Sequence, residues 1–292
     1  MEQASATLTQ LLQRMQQQSA MAFTSDPKAA SRELERRKAE CCNREEGTLN
    51  QQDNYNCPLC RNRGKTVELV MEDGEEKAKF FECRCMNIRS TIARMQRSGR
   101  QDVISKYTLD NFLVENDFQR TLKEAAQGYL KAGTGWFFIG GQSGCGKSHI
   151  GTAIFRELLL AGKTCRYMAW REDAPRLKKL LHSEGDEYCA AVDQFKQAQV
   201  LYIDDLFKTG RENGGRFQRP TVADINLAYE ILNYRADRPK LRTILSSECL
   251  LEQLIEIDEA IGGRIAELSA PYVFSISPDR TKNYRLRGMG TL

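Results

Sequence analysis

The sequence predicts an α/β fold: a three-layer domain on a parallel five-stranded sheet, preceded by a small cysteine-rich module and an N-terminal helix. Three observations predict it. From Tyr107 onward short apolar strands alternate with helical patterns, and strands spaced by helices pair in parallel through right-handed crossovers. A glycine-rich loop ending in Lys147-Ser148 lies between one such strand and one such helix. Two close cysteine pairs, Cys57/Cys60 and Cys83/Cys85, flank a hairpin pattern.

Taken in order, residues 1–50 are polar and Gln-rich, with Leu8, Leu11, Leu12 and Met15 at helical spacing. One short amphipathic helix cannot bury its own face, so this segment either binds a partner surface or frays. Residues 51–86 carry the cysteine pairs, with a hairpin expected over Thr66–Met71 and Lys77–Glu82 around the charged tip Glu72–Glu76. Residues 87–106 hold Arg89, Arg94, Arg97, Arg100 and Lys106 against the single acid Asp102, which predicts a basic linker helix. Residues 107–292 form the α/β domain. Its helices are expected over Asp117–Lys131 and Ser148–Ala161, and its strands over Trp136–Gly140, Thr164–Ala169, Val200–Asp204, Thr243–Ser247 and Tyr272–Ile276.

Composition narrows the chemistry. The 292 residues include 43 Lys+Arg, 39 Asp+Glu, two His and ten Cys, with 41% apolar and 28% charged residues. That chain can build a core, and its net charge of +4 points to no polyanion unless the charge is clustered. His149 and His182 cannot make a His-rich metal site. No secretory leader opens the sequence and no apolar run spans a bilayer, so the expected setting is cytoplasmic, off the membrane, with reduced thiols.

Gly141-Gln142-Ser143-Gly144-Cys145-Gly146-Lys147-Ser148 fits G-x-x-x-x-G-K-[ST] in full. The glycines let successive backbone N–H groups curl toward a phosphate, and the following helix adds positive potential at its N-terminus. Lys147 reaches the β- and γ-phosphates of ATP, and Ser148 ligates Mg²⁺. Cys145 reads as a spacer. The matching carboxylates end the strand Val200–Asp204: Asp204 holds Mg²⁺ through water, and Asp205 orients or deprotonates the attacking water. Asp205 is one methylene shorter than a Glu, which disfavours fast turnover more than binding.

Cys57, Cys60, Cys83 and Cys85 supply four thiolates for a tetrahedral Zn²⁺, and four thiolates leave no open catalytic position. Free thiols or an incidental disulfide are the alternatives. Cys41, Cys42, Cys165, Cys189 and Cys249 lack partners at ligand spacing and read as small apolar residues. Gly262-Gly263-Arg264 places Arg264 in a turn opening an apolar helix, and Arg285 follows the last strand. Arg264 is either a finger on the γ-phosphate of a neighbouring subunit or a surface arginine, and Arg285 either folds back over the nucleotide of its own subunit or is a surface arginine. Ser246, Ser247 and Glu248 end a strand beside the carboxylates, where a polar group either touches phosphate or caps the strand.

From about Asn56 to the end, the chain resembles phage and bacterial helicase loaders of the DnaC/DnaI type, within the AAA+ ATPases. The resemblance rests on the cysteine module, the segment Tyr107–Phe112, the Walker A loop Gly141–Ser148, Walker B ending in Asp204-Asp205, Ser246-Ser247, Gly263-Arg264 and Asn283-Tyr284-Arg285. It implies an ATP/ADP-switched ATPase that binds a replicative hexameric helicase through its N-terminal region, delivers it to single-stranded DNA and self-associates through AAA+ interfaces. It implies that Arg264 is the finger acting in trans and Arg285 is sensor 2. Glu248 departs from the pattern, standing where many relatives place the sensor 1 Asn. An acid donates no hydrogen bond to phosphate, so either Ser247 takes the role or hydrolysis is weak. Arg171, Arg176, Lys178 and Lys179, or else Arg211, Arg216 and Arg219, are the candidate DNA contacts. The alternatives are an IstB-type transposition-helper ATPase on duplex DNA, and a nucleotide-gated adaptor with little hydrolysis.

Overall fold

The computed structural model describes residues 27–99, 102, 105–181, 186–208, 219–279 and 283–284. The apolar series Leu8–Met15, the basic positions Arg100, Arg211 and Arg216, and Arg285 lie outside these residues. The chain divides into two compact units. One takes the described residues up to Gln52 and Asn56–Met86, and the other takes Asp53–Tyr55 and everything from Asn87.

The first unit consists of α1 (Pro27–Arg44), most of a one-turn α2 (Asn50–Asp53), and the antiparallel strands β1 (Lys65–Glu72) and β2 (Glu75–Glu82). The strands pair from Lys65↔Glu82 to Glu72↔Glu75, so the hairpin runs longer and its tip is tighter than the charge pattern predicts. Asp73 (φ 52°) and Gly74 (φ 79°) form a two-residue turn whose twist matches the strands. A side chain of α1 pairs with the strand backbone: Asn43 Nδ2 donates to Val67 O at 2.8 Å and Asn43 Oδ1 accepts from Val67 N at 3.0 Å. Phe80 and Met71 remain exposed, so this unit buries little apolar surface.

The second unit starts within α3 (Cys85–Arg97) and continues through α4 (Asp117–Ala132), β3 (Trp136–Gly141), α5 (Lys147–Leu160), β4 (Cys165–Ala169), α6 (Trp170–Leu180) and α7 (Glu187–Gln197). It closes with β5 (Val200–Leu206), α8 (Val222–Ala236), β6 (Arg242–Ser247), α9 (Leu251–Ile257), α10 (Glu259–Ser269) and β7 (Val273–Ile276). The sheet is parallel, in the order β4-β5-β6-β3-β7, with β3 at the second position from one edge. This is the three-layer AAA+ P-loop arrangement that the sequence predicts. Alternate strand residues feed opposite cores. Phe137, Ile139, Tyr167, Tyr202 and Ile244 join α3, α4 and α5 on one side, and Phe138, Met168, Leu201, Ile203 and Leu245 join α6–α10 on the other.

The expected basic linker at 87–106 is corrected. Ile88, Ile92 and Met95 lie on one face of α3 and are buried in the first of those cores. Arg89 is buried too, and its Nη1 lies 2.6 Å from Asp53 Oδ1. The arginines predict a linker, but the intervening apolar residues make the same helix a core element.

Candidate nucleotide site and cysteine cluster

The glycine-rich loop spans the end of β3 to the start of α5, so its backbone amides and the helix N-terminus converge where strand order reverses. Gly146 adopts φ 96°, and a Cβ there would come within 3.0 Å of Phe112. Lys147 is buried, and its Nζ donates to Gly141 O at 2.8 Å and Gln142 O at 2.7 Å. Burial lowers its pKa, opposed by Cys145, Asp205 and Glu248 nearby. Gln142 bonds the backbone of Asp279 through both its amide groups. Ser143 is exposed, and the Cys145 side chain turns into the core with Sγ donating to Gln142 O at 2.9 Å. Gly144 accepts a 2.8 Å bond from the Tyr284 amide, which ties Tyr284 to the loop.

Gly144, Gly146, Lys147 and Ser148 line a cavity of about 360 Å³ together with Tyr107, Phe112, His149, Tyr284, Asp205, Lys208 and Glu248. Its outer wall is aromatic. His149 meets Tyr107 and Phe112 edge-on at 5.5 and 5.4 Å, and Phe112 lies 6.2 Å from Tyr284. His149 Nε2 is 2.9 Å from Thr108 O, and burial lowers its pKa below 6.5. A glycine-rich loop walled by aromatic rings suits a nucleotide. Sequence reasoning missed His149 and Lys208 as lining residues. The signal for His149 was its place one residue after the loop.

Asp204 is 4% exposed and accepts from Tyr167 Oη at 2.8 Å, Tyr202 Oη at 2.9 Å and Ser246 Oγ at 2.6 Å. These hydroxyls hold the carboxylate rigid and occupy most of its acceptor positions, so it fits a metal-bound water better than the metal itself. Ser148 supplies the other hydroxyl. Beyond Ile203 the pairing of β5 with β6 slips, and Asp205 adopts φ 59° and Phe207 φ 60°. The bulge turns Asp205 into the cavity, with its amide donating to Ser246 Oγ at 3.0 Å. Lys208 Nζ stands 3.0 Å from Asp205 Oδ2 and 2.8 Å from Glu248 Oε1. Ser247 is buried, and its Oγ donates to Leu206 O at 2.8 Å and accepts from Cys249 N at 3.1 Å.

Arg264 is corrected in placement. It lies within α10 and not in a turn before it, because Asp258 caps that helix by accepting from the Ile261 amide at 2.8 Å. Gly262 belongs to the helix interior, where a Cβ would come within 2.6 Å of the Ile255 backbone. Its role is close packing of α9 on α10. Arg264 Nη1 donates to Ala260 O at 3.1 Å, and its guanidinium lies 5.2 Å from the Tyr229 ring. On α6, Arg171, Arg176 and Lys179 are exposed, but Lys178 is paired with Asp224 at 2.5 Å.

In the first unit, Cys57, Cys60, Cys83 and Cys85 are buried with all four Sγ atoms within 4.8 Å of one another. Cys57 Sγ lies 3.8 Å from Cys83 Sγ, and Cys60 Sγ 3.5 Å from Cys85 Sγ. The Gly64 amide donates to Cys60 Sγ at 3.2 Å. Burial raises the Cys60 pKa, but that amide and the neighbouring thiols outweigh it and bring it to about 7. Four converging thiols with an amide donor behind them fit a tetrahedral metal ion. Of the remaining cysteines, Cys165 is buried and pushed up to about 12. Cys41 and Cys189 are exposed and do not pack as the apolar residues expected of them.

No protein-family model matches the chain. It is 38% identical over 254 residues to the phage-like element PBSX protein XkdC of Bacillus subtilis, a match covering 80% of this chain and 88% of XkdC. The chain belongs to the XkdC family. Another B. subtilis relative, the uncharacterized protein YqaM, is 27% identical over 300 residues, 87% of this chain and 93% of YqaM. The replicative helicase loader DnaC of Escherichia coli is 26% identical over 147 residues, 49% of this XkdC-family chain and 58% of DnaC. A crystal structure of the DnaC helicase loader superposes with a TM-score of 0.46 at 19% identity, over 60% of this chain and 99% of that one. The sheet order and the glycine-rich loop give this family member an AAA+ P-loop fold. Among its described residues, no helix is long and apolar enough to cross a membrane.

Proposed function

We propose that this chain is an ATP-dependent loader that binds a replicative hexameric helicase and delivers it to single-stranded DNA, with nucleotide state as the switch. The observation that carries the reading is a complete P-loop and carboxylate constellation on a chain 26% identical to the replicative helicase loader DnaC over 147 residues. The amides of Gly141–Ser148 and the Lys147 ammonium bind the phosphates, while Phe112, Tyr284 and His149 enclose the base. Mg²⁺, held by Ser148 and through water by Asp204, would neutralise phosphate charge. Asp205 orients the attacking water. Arg264 serves a neighbouring subunit in a self-associated assembly, and Arg285 serves its own nucleotide. The four cysteines hold structural Zn²⁺. Exposed Arg171, Arg176 and Lys179 on α6 track the phosphates of the DNA strand.

Co-purification with a replicative helicase, with and without ATP and single-stranded DNA, tests the proposal. A complex that forms with the helicase and changes with nucleotide is the expected result, and capture of no helicase overturns it. Lys147→Ala should abolish nucleotide binding in the same preparation, measured by fluorescent-nucleotide titration; retained binding sinks the P-loop assignment.

A further inference from the structure

The end of β6 carries an acid where a γ-phosphate sensor would be expected to donate a hydrogen bond, and neither serine beside it can substitute. The Ser246 hydroxyl donates to Asp204 and the Ser247 hydroxyl donates to Leu206 O, so each has spent its only proton. Glu248, with its side chain 12% exposed, has no proton to offer as a carboxylate. It does hold a cation. Lys208 Nζ lies 2.8 Å from Glu248 Oε1 and 3.0 Å from Asp205 Oδ2, in the same cavity wall as Ser143, Gly144, Lys147 and Ser148.

The chain fixes that ammonium by an unusual route. The bulge after Ile203 and the left-handed backbone at Asp205 and Phe207 fold residues 205–208 into a turn, closed by a 2.9 Å bond from Lys208 N to Asp205 O. Two non-glycine residues in that conformation cost of order 1 kcal/mol each and persist only where the surroundings over-determine them. Phe207 is buried in the second core, and Ser246 Oγ takes the Asp205 amide, so packing and hydrogen bonding supply that constraint. Burial opposes the Lys208 charge, but the hydrogen bonds it donates to Glu248 and Asp205 prevail and raise its pKa. An ammonium has three donors, and the two carboxylates take two of them.

We propose that Lys208 is a second phosphate lysine: it contacts the γ-phosphate of bound ATP, and Glu248 is the counter-ion that positions it. The acid at the end of β6 is then not a failed sensor but the anchor of one. This rests on the nucleotide reading of the same cavity. It predicts that Lys208 distinguishes ATP from ADP, whereas Lys147, which also reaches the β-phosphate, supports both.

The test is the ratio of ATP to ADP affinity of the full chain with Mg²⁺, by competition against a fluorescent nucleotide. Lys208→Met should weaken ATP binding about tenfold while leaving ADP within about twofold, the size expected for one lost charge-assisted hydrogen bond. Lys208→Arg should keep much of the discrimination. Glu248→Gln, which leaves Lys208 held by Asp205 alone, should lower the ratio in the same direction and by less. Equal loss for both nucleotides, an unchanged ratio in both the Met and Gln variants, or tighter ATP binding in Lys208→Met would overturn the assignment. A wild-type chain that binds neither nucleotide overturns the nucleotide reading as well, so the two failures are distinct.

Discussion

The cysteine unit buries four thiols, Val67 and Ala39 and little else apolar, whereas the sheet unit lays alternate residues of its strands into two separate apolar cores. The hairpin of the first unit leaves Phe80 59% and Met71 66% exposed, while β3 in the second is buried at every position. A two-stranded ribbon has no second layer to cover both its faces, and on its own it is marginal in water. The difference teaches where each unit draws its stability: the sheet unit from transfer of apolar area, and the hairpin unit, on the proposed zinc reading, from ligation by its four thiols.

The largest expected effect is metal removal. Structural zinc binding is worth about 10–16 kcal/mol in small zinc modules, so a chelator should unfold the hairpin unit outright. Amide exchange over Lys65–Glu82 should collapse to unprotected rates while Phe137–Ile139 stays protected, with about one zinc per chain released. A metal-free preparation with a protected hairpin would break the comparison. Next in size, Phe138→Ala opens a cavity in the second core and should cost about 3–5 kcal/mol, read as a lower denaturant midpoint with zinc content unchanged.

The smallest effect concerns His149. Burial depresses its pKa below the unfolded 6.5, against the Thr108 carbonyl which raises it. The unfolded chain therefore takes up the proton first as pH falls. The neutral side chain contributes stability that is fully present above the unfolded pKa and is lost as pH drops from there through the lower folded value. Denaturant midpoints of the wild type should fall more steeply between about pH 7 and 5 than those of His149→Asn. Parallel curves for the two proteins would refute it.

Much of the site was legible. Gly141–Ser148 can be read because phosphate binding by backbone amides needs glycines and a lysine at set intervals, and such intervals survive in one dimension. The cysteine pairs can be read for the same reason. Arg264 was misplaced because Gly262-Gly263 looks like a break, and only the approach of α9 shows that Gly262 permits helix packing. Arg89 reads as part of a basic linker because Asp53, its buried partner, is 36 residues away in sequence. Lys208 was invisible because a lysine after an acidic strand end resembles any solvated loop residue; two left-handed residues and a bulge turn it inward.

What the sequence alone determined, then, is local and periodic: the alternation of strands and helices, the phosphate loop, the carboxylates at a strand end and the four thiols. These follow from residue type and spacing, since periodicity sets the buried face and short motifs make their own geometry. What only the tertiary structure decided is which distant groups share a charge. Tyr167, Tyr202 and Ser246 converge on Asp204, and Lys208 joins Asp205 to Glu248 across neighbouring strands. Parallel strands bring residues about forty positions apart to within hydrogen-bond distance through the register of β5 on β6, and no local pattern encodes a register.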